Sequence, residues 1–258
     1  MRNYPKIARG KLSLRVAEVS VDCDRCLGLG SVLEREGGYD VARSCGTCGE
    51  KRKHHERFNL MGLPNVCDGM TFSSFLPQDK SQQTAIDVCR AFTLAAKQPG
   101  GAQKGVAVLG PPGVGKTHLL SAVGHYLTLA CGLSVRWARF DRVTASIRAK
   151  YGNGGNPEVE AVDVLCDSDV TLIDELGKGR GSDYEQSVAD AIITELHERE
   201  QPVVVASNYL PPGMGRGSSL LERIGPRAWS RLNEICAIVP IDGSDMRTSR
   251  RKPFLEKK

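Results

Sequence analysis

One segment constrains the fold of this chain more than any other. It is the run Gly110-Pro111-Pro112-Gly113-Val114-Gly115-Lys116-Thr117, which fills every fixed position of the pattern G-x-x-x-x-G-K-[ST]. The glycines let successive backbone N–H groups point toward one phosphate group, and the start of a helix adds partial positive charge. In this pattern the lysine contacts the β- and γ-phosphates and the threonine hydroxyl binds Mg²⁺. The segment therefore predicts a site for ATP and Mg²⁺ rather than a chance glycine-rich turn.

Two other apolar runs end in polar side chains. Residues 170–173 are followed by Asp174 and Glu175, and residues 203–206 are followed by Ser207 and Asn208. Ligands of open α/β sheets bind at the carboxyl ends of the strands. Asp174 is therefore placed to hold Mg²⁺, Glu175 to polarise an attacking water, and Asn208 to orient that water or contact the γ-phosphate. A buried strand with an acidic surface end, and a turn asparagine, remain alternatives.

Strands and helices are predicted to alternate along the chain from residue 104 onward. The expected strands are 105–109, 133–138, 170–174, 202–206 and 236–241. The expected helices are 81–97, 117–130, 140–151, 158–166, 184–200 and, for the most part, 220–235. This order predicts an α/β fold with a parallel sheet between layers of helices. Residues 57–78 show no sustained period, and we interpret them as a linker.

Four of the nine cysteines form two closely spaced pairs. They are Cys23-x-x-Cys26 and Cys45-x-x-Cys48, with eighteen residues between the pairs. This is a zinc-site spacing, because two such pairs present four thiolates in a tetrahedron. Disulfides are the alternative, and a cytosolic location disfavours them. His54 and His55 are either further candidate ligands or surface residues. We therefore predict a zinc-binding module at residues 1–56 that needs its metal to fold and binds a protein or nucleic acid partner.

Composition sets wider bounds on the function. The chain has 258 residues, 40% of them hydrophobic, and a net charge of +5. Its apolar runs are too short for a membrane span, and it begins without the apolar segment of a signal peptide, so we expect a cytoplasmic protein without a membrane partner. Basic residues cluster at 51–55 and in the C-terminal tail, which is typical of nucleic-acid contacts and equally of solvated surfaces.

The phosphate loop, VTLIDE at 170–175 and VVVASN at 203–208 together resemble the AAA+ ATPases. The similarity is greatest to the DnaC/DnaI-type loaders of replicative helicases, with the transposition helper IstB as a near relative. Six shorter runs, in four groups, carry that closer resemblance: 62–64 with 70–72, 174–177 with 182–185, 223–232, and 244–247. The resemblance covers about residues 58–252. It implies an AAA+ domain at 79–258 with a basic C-terminal tail and without the helical lid, for which the fifty residues after Asn208 leave no room.

The resemblance also implies roles for residues outside the phosphate loop. Arg231 is the first choice and Arg227 the second for an arginine finger, which reaches the γ-phosphate of a neighbouring subunit and so implies a head-to-tail oligomer. An exposed pair at i and i+4 is the structural alternative. Arg247 is expected to sense nucleotide. The positions that match single-stranded DNA contacts are Tyr151, Ser182 and Tyr184, with basic residues nearby at Arg148, Lys150, Lys178 and Arg180.

Three functions fit these features. The first is an ATPase that loads a hexameric replicative helicase onto single-stranded DNA, with the zinc module binding the helicase. Here Lys116, Glu175, Asn208 and a neighbour's arginine would carry out ATP hydrolysis. The second is an IstB-like ATPase that assists a DNA transposase on duplex DNA, and the third is a DNA-binding scaffold that ATP switches with negligible turnover. A small-molecule kinase is disfavoured, because the two carboxylates and Asn208 suit activation of water.

Overall fold

A computed structural model describes most of the chain. The described residues are 6–9, 12–15, 23–27, 30–98, 100–102, 104–151, 155–215 and 217–247, with backbone alone for the first two ranges. Those two ranges contain strands β1 (Lys6–Arg9) and β2 (Leu12–Arg15), which pair antiparallel. The predicted basic tail beyond residue 247 lies outside the described residues.

Five parallel strands form the central sheet. They are β5 (Gly105–Leu109), β6 (Val135–Arg139), β7 (Val170–Asp174), β8 (Val203–Ser207) and β9 (Cys236–Pro240). Their order is β6-β7-β8-β5-β9, so β5 lies between β8 and β9. Because all five strands are parallel, the carboxyl ends of β5, β7 and β8 lie at the same edge of the sheet. The predicted α/β fold with a parallel sheet is confirmed.

Helices cover both faces of this sheet. The helices after residue 79 are α2 (Lys80–Ala96), α3 (Lys116–Leu129), α4 (Phe140–Lys150), α5 (Pro157–Cys166), α6 (Asp183–Glu198), α7 (Leu220–Ile224) and α8 (Pro226–Ile235). Val106 and Val108 belong to the hydrophobic cluster on the α2–α3 side, whereas Ala107 and Leu109 belong to the one on the α6–α8 side. This division follows from the alternation of side chains along a strand. Within the described ranges, no helix combines the length and apolar character that crossing a membrane requires.

Local sequence explains where several of these helices begin. Asp79 accepts hydrogen bonds from the backbone N–H groups of the first turn of α2. Ser182 and Glu185 form a reciprocal capping box at the start of α6. Gly225, at φ 83°, separates α7 from α8, and Pro226 occupies the first turn of α8. The predicted helix at 220–235 is therefore two helices with a sharp turn between them.

A hairpin and one helix follow the first cysteine pair. Strands β3 (Ser31–Glu36) and β4 (Tyr39–Ser44) pair across a Gly37-Gly38 turn whose φ angles are both positive. Helix α1 (Gly49–Leu60) begins directly after Cys48 and packs on α3. The Phe58 ring lies 4.9 Å from the His125 ring. His54 Nδ1 lies 3.2 Å from the Leu129 carbonyl oxygen, so this histidine contacts the end of α3.

The segment interpreted as a linker packs into the core. Phe58, Met61 and Phe75 are almost fully buried and belong to the hydrophobic cluster on the α2–α3 side. The backbone N–H of Trp137 donates to the Met61 carbonyl oxygen, and this hydrogen bond joins the segment to β6. The buried apolar residues of this segment do not recur at the spacing of a helix or a strand. Hydrophobic periodicity therefore could not predict that the segment packs into the core.

Candidate nucleotide-binding site

The residues predicted to bind nucleotide line one cleft at the carboxyl edge of the sheet. The loop between β5 and α3 supplies one wall, and the ends of β7 and β8 supply another. Lys116, Thr117, Asp174, Glu175, Asn208 and Arg247 all line the cleft, together with Pro112, Gly113 and Gly115. These residues come from four separate parts of the sequence, and the sheet topology brings them together.

The glycines of the loop are required by its conformation and by its neighbours. Gly113 has φ 88° and Gly115 has φ 101°, values that residues with side chains rarely adopt. A side chain at Gly113 would collide with the Asp245 carboxylate, and one at Gly115 would collide with the Phe75 ring. Val114 between them is fully buried and anchors the loop. The loop therefore has a preset shape, in which backbone N–H groups are available for phosphate.

Lys116 folds back over its own loop. Its Nζ donates hydrogen bonds to the carbonyl oxygens of Gly110, at 2.7 Å, and Pro111, at 2.6 Å. Burial lowers the pKa of its ammonium to about 8, although Asp174 acts in the opposite direction. Phosphate oxygens would supply the negative charge that this buried cation lacks.

Thr117 and Asp174 face each other across the cleft. The Thr117 hydroxyl lies 3.2 and 3.3 Å from the two carboxylate oxygens of Asp174. Burial, reinforced by the nearby Glu175, raises the pKa of Asp174 to about 6. A hydroxyl and a carboxylate at this separation are oxygen ligands of the kind that Mg²⁺ prefers. The donor set thus fits the metal expected from the sequence.

Glu175 is held by two cations. Its Oε2 lies 2.6 Å from Lys178 Nζ and 2.9 Å from Arg139 Nη2. The same two cations also contact Asp141, at the start of α4. The backbone of Glu175 is at φ 58°, which is uncommon for a residue with a side chain and is found more often at functional sites. In this conformation Oε2 is occupied by ion pairs.

The sequence reasoning did not assign Arg139 to this site. Arg139 ends β6, which neighbours β7 in the sheet, and it pairs across the two strands with Asp174 in the register. The AAA+ resemblance supplies a strand order in which β6 lies beside β7. With that order, the position of Arg139 at the end of β6 could have placed it near Asp174 and Glu175. Lys178 was predicted only as a basic residue near DNA.

Asn208 and Arg247 complete the cleft from two sides. Asn208 is exposed directly after β8, while the preceding Ser207 is buried and donates to the Leu176 carbonyl oxygen at 2.7 Å. The Met246 N–H donates to the Gly113 carbonyl oxygen at 3.1 Å, which places the neighbouring Arg247 beside the phosphate loop. Arg247 contributes to the lowered pKa of Lys116.

The two candidate finger arginines lie apart from this cleft. Arg231 Nη1 is 3.2 Å from one Asp190 carboxylate oxygen, and Arg227 Nε is 3.6 Å from the other. The Arg227 side chain is 68% exposed and that of Arg231 is 23% exposed. Arg227 instead lines a second groove with carboxylates of α5 and α6, among them Glu158, Asp163, Asp190 and Glu195.

The two tyrosines predicted to contact DNA form a cluster. The rings of Tyr151 and Tyr184 lie edge to face, with 6.2 Å between their centres, and the Arg148 guanidinium lies 4.7 Å from the Tyr184 ring centre. Tyr151 is half exposed. Ser182 is exposed at the surface, where its hydroxyl caps α6. The helix cap explains Ser182 without a ligand, whereas the tyrosines present aromatic surface beside a cation.

The four paired cysteines converge on one point. Their sulfur atoms all lie within 4.8 Å of one another, with 3.7 Å between Cys23 and Cys45 and 3.4 Å between Cys26 and Cys48. Tetrahedral zinc with bonds of 2.3 Å separates its sulfur ligands by about 3.8 Å. The backbone N–H groups of Cys48 and Thr47 lower the pKa of Cys45 to about 6, whereas the neighbouring Cys26 thiol and burial raise the pKa of Cys48. The cluster therefore fits zinc, and neither His54 nor His55 belongs to it.

The chain matches a protein-family model over most of its length. Residues 47–253 match the model described as IstB-like ATP binding protein. This range contains the phosphate loop, Asp174 at the end of β7 and the following Glu175, Asn208 and Arg247, and it begins inside the second cysteine pair.

Comparisons with individual proteins agree with this match. The Bacillus subtilis phage-like element PBSX protein XkdC is 24% identical over 84% of this chain and 82% of its own length. The Escherichia coli replicative helicase loader DnaC is 24% identical over 70% of this chain and 74% of its own length. A crystal structure of the DnaC helicase loader superposes with a TM-score of 0.59 at 23% identity, over 69% of this chain and 99% of that one. The last comparison supports the AAA+ fold.

Proposed function

Because the chain belongs to the family of IstB-like ATP binding proteins, we propose that it is an ATPase that loads a hexameric replicative helicase onto single-stranded DNA. The observation that carries the proposal is the similarity to a replicative helicase loader over most of both chains. The cleft, the cysteine cluster and the aromatic pair each support one part of this function.

ATP would bind in the cleft through the loop amides and Lys116. Thr117 and Asp174 would hold Mg²⁺, which supplies positive charge to the phosphates when bound. Glu175 would take the proton of the attacking water and Asn208 would orient that water. Because two ion pairs hold Oε2, we expect Glu175 to turn toward the attacking water after at least one of them has broken.

A neighbouring subunit would complete the site. Arg227 and Arg231 pair with Asp190 and lie outside the described lining of their own cleft. If one of them acts as a finger, the γ-phosphate it reaches belongs to another subunit, and the protein would then assemble head to tail. Arg231 is the better candidate because Asp190 already holds its guanidinium in one direction, which reduces the entropy lost on binding phosphate.

The cysteine module would bind the helicase, and the aromatic cluster would bind DNA. The hairpin between the cysteine pairs exposes Leu33 and Tyr39, whose exposed fractions are 72% and 78%. Exposed aromatic and aliphatic side chains of this kind are typical anchors of protein interfaces. Tyr151, Tyr184 and Arg148 offer stacking and charge that are independent of base sequence.

The test is binding of the full-length, zinc-loaded protein to the replicative helicase of the host cell, measured with ATP and a single-stranded oligonucleotide. We expect a complex that needs both ATP and zinc. The match to IstB-like ATP binding proteins keeps a second function as a candidate, which by the resemblance to IstB would be assistance to a transposase on duplex DNA. Preference for duplex over single-stranded DNA, without helicase binding, would support that function and contradict the loader.

A further inference from the structure

Arg223 connects three parts of the fold. It lies on α7, and its Nε donates a hydrogen bond of 3.1 Å to the Gly177 carbonyl oxygen. A second guanidinium N–H donates to the Gly179 carbonyl oxygen. The guanidinium carbon lies 4.8 Å from the centre of the Tyr209 ring. Tyr209 directly follows Asn208 in the chain. Arg223 thus links α7, the loop after Glu175 and the end of β8, and it lies outside the lining of the nucleotide cleft.

The loop that Arg223 binds has little rigidity of its own. Gly177, Gly179 and Gly181 have φ angles of 78°, 148° and 72°. Three glycines in five residues give the loop many conformations of similar energy, so an ordered loop needs external contacts. A side chain at Gly181 would approach the Arg223 guanidinium to within 2.9 Å, so the loop wraps closely around this arginine.

Lys178 lies between the two carbonyl groups that Arg223 binds. Its Nζ is 2.6 Å from Oε2 of Glu175. Fixing the peptide groups on both sides of a residue restricts the direction of its side chain. The Arg223 contacts therefore restrict the conformations of the loop from which Lys178 reaches Glu175.

We propose that Arg223 is a positioning residue that keeps Lys178 on Glu175 and so holds the protein without DNA or a partner in a state of low hydrolysis. The proposal rests on the proposed function of Glu175 as the group that accepts a proton from water. Lys178 and Arg139 both bind Oε2, so they occupy that oxygen and fix the direction in which Oε1 points. We call the contacts of Arg223 with the Gly177 and Gly179 carbonyl groups the clamp. Gly225, two residues after Arg223, joins α7 to α8, so the chain connects the clamp to the helix that carries Arg227 and Arg231.

The first test is the ATP turnover of Arg223→Ala without DNA or helicase. We expect kcat to rise roughly threefold or more, with the affinity for a fluorescent ATP analogue unchanged within about twofold. Lys178→Ala should raise kcat to the same extent, and the double variant should rise no further, because both changes act on one contact. Damage to the fold would lower kcat. A fall in kcat, or additive effects, would overturn the proposal.

The second test does not depend on activity. Trypsin cuts after Lys178 and Arg180, and an ordered loop resists cleavage. In the full-length protein, Arg223→Ala should accelerate cleavage at these two bonds, whereas Arg199→Ala, which removes a surface arginine with two ion pairs, should not. Arg223→Gln, which can reach only one carbonyl, should be intermediate. Unchanged cleavage would contradict the clamp, whereas a wild-type protein without turnover would contradict the proposed function instead.

Discussion

The carboxylate of Asp190 binds the guanidinium of Arg231 at 3.2 Å, and neither group lines the nucleotide cleft. If Arg231 is the finger, Arg231→Ala should lower kcat by roughly 10³-fold or more, because such arginines stabilise the transition state. Mixing Arg231→Ala with Lys116→Ala should restore part of the activity, since one variant supplies the site and the other the finger. Steady-state ATPase assays of the two variants alone and mixed would measure this.

Two further variants make the finger experiment specific. Asn233→Ala, an exposed change on the same helix, should retain full turnover. Arg227→Ala should retain most of it. Loss of activity in Arg227→Ala together with full activity in Arg231→Ala would reverse the assignment, and failure of the mixture to recover would contradict a shared site.

Glu175→Gln should separate binding from hydrolysis. The amide keeps the size of the side chain but cannot take a proton from water, so we expect kcat to fall by about 10²- to 10⁴-fold with ATP still bound. Equilibrium binding of a fluorescent ATP analogue and single-turnover hydrolysis would measure the two effects. Normal turnover in this variant would exclude Glu175 as the base.

The pKa of Asp174 predicts how stability depends on pH. Burial raises this pKa from 3.8 to about 6, so the folded chain binds more protons than the unfolded chain between these values, and the contribution of Asp174 to stability falls as pH rises through this window. Asp174→Asn removes the buried charge. Without nucleotide or divalent ions, the variant should therefore be more stable than the wild type at pH 7.5, on the order of 2–3 kcal/mol.

The same comparison at lower pH tests the cause. At pH 5 the advantage of Asp174→Asn should shrink to about half, because Asp174 of the wild type is then mostly protonated. Denaturant titrations of both proteins at each pH give the difference. Asp167→Asn, the same substitution at an exposed position, is the control. A difference that stays constant with pH would contradict the raised pKa.

Zinc should be held by the four paired cysteines. The wild type should contain one zinc ion per chain, and Cys45→Ser should lose it together with the fold of the hairpin module. Metal analysis and circular dichroism before and after chelation would measure both. Cys131→Ser, a half-buried cysteine outside the cluster, is the control. Chelation without effect, with disulfides seen by mass spectrometry under non-reducing conditions, would contradict the zinc site.

The aromatic cluster predicts the effect of two ring substitutions on DNA binding. Tyr184→Leu and Tyr151→Leu should each weaken binding to single-stranded oligonucleotides by about 1–3 kcal/mol, since a stacked base is worth that much. Tyr184→Phe keeps the ring and loses only its hydrogen bond to the Thr144 carbonyl oxygen, so it should bind normally. Fluorescence anisotropy gives the affinities. Equal weakening by the leucine and phenylalanine variants at position 184 would exclude stacking there.

The sequence predicted the sheet and the cleft well because their signals are local. Adjacent residues in the sequence are enough to recognise the phosphate loop. The same holds for the strand that ends in Asp174 and for the strand that Asn208 follows. The β3–β4 hairpin was not predicted, although its Gly37-Gly38 turn between two β-rich runs is a known signal for one.

The contacts that the sequence did not reveal are the long-range ones. Arg139 reaches Glu175 only because β6 and β7 are neighbours in the sheet. Arg223 reaches Gly177 from 46 residues away. The place of Arg139 at the end of a strand, or of Arg223 in the run 223–232, does not say which group either side chain contacts, so only the folded chain shows those contacts.

Helix α1 runs across the boundary between the predicted zinc module and the rest of the chain. A shortened protein that starts at residue 57 would keep Phe58 but lose the first two turns of this helix, including His54 and its contact with the Leu129 carbonyl oxygen. The side of α3 that α1 covers would then be exposed to water. Lys116 is the first residue of that same helix. Anyone isolating the ATPase part for biochemistry should therefore cut before Gly49 rather than after residue 56, or risk attributing to nucleotide chemistry a defect that comes from an uncovered helix.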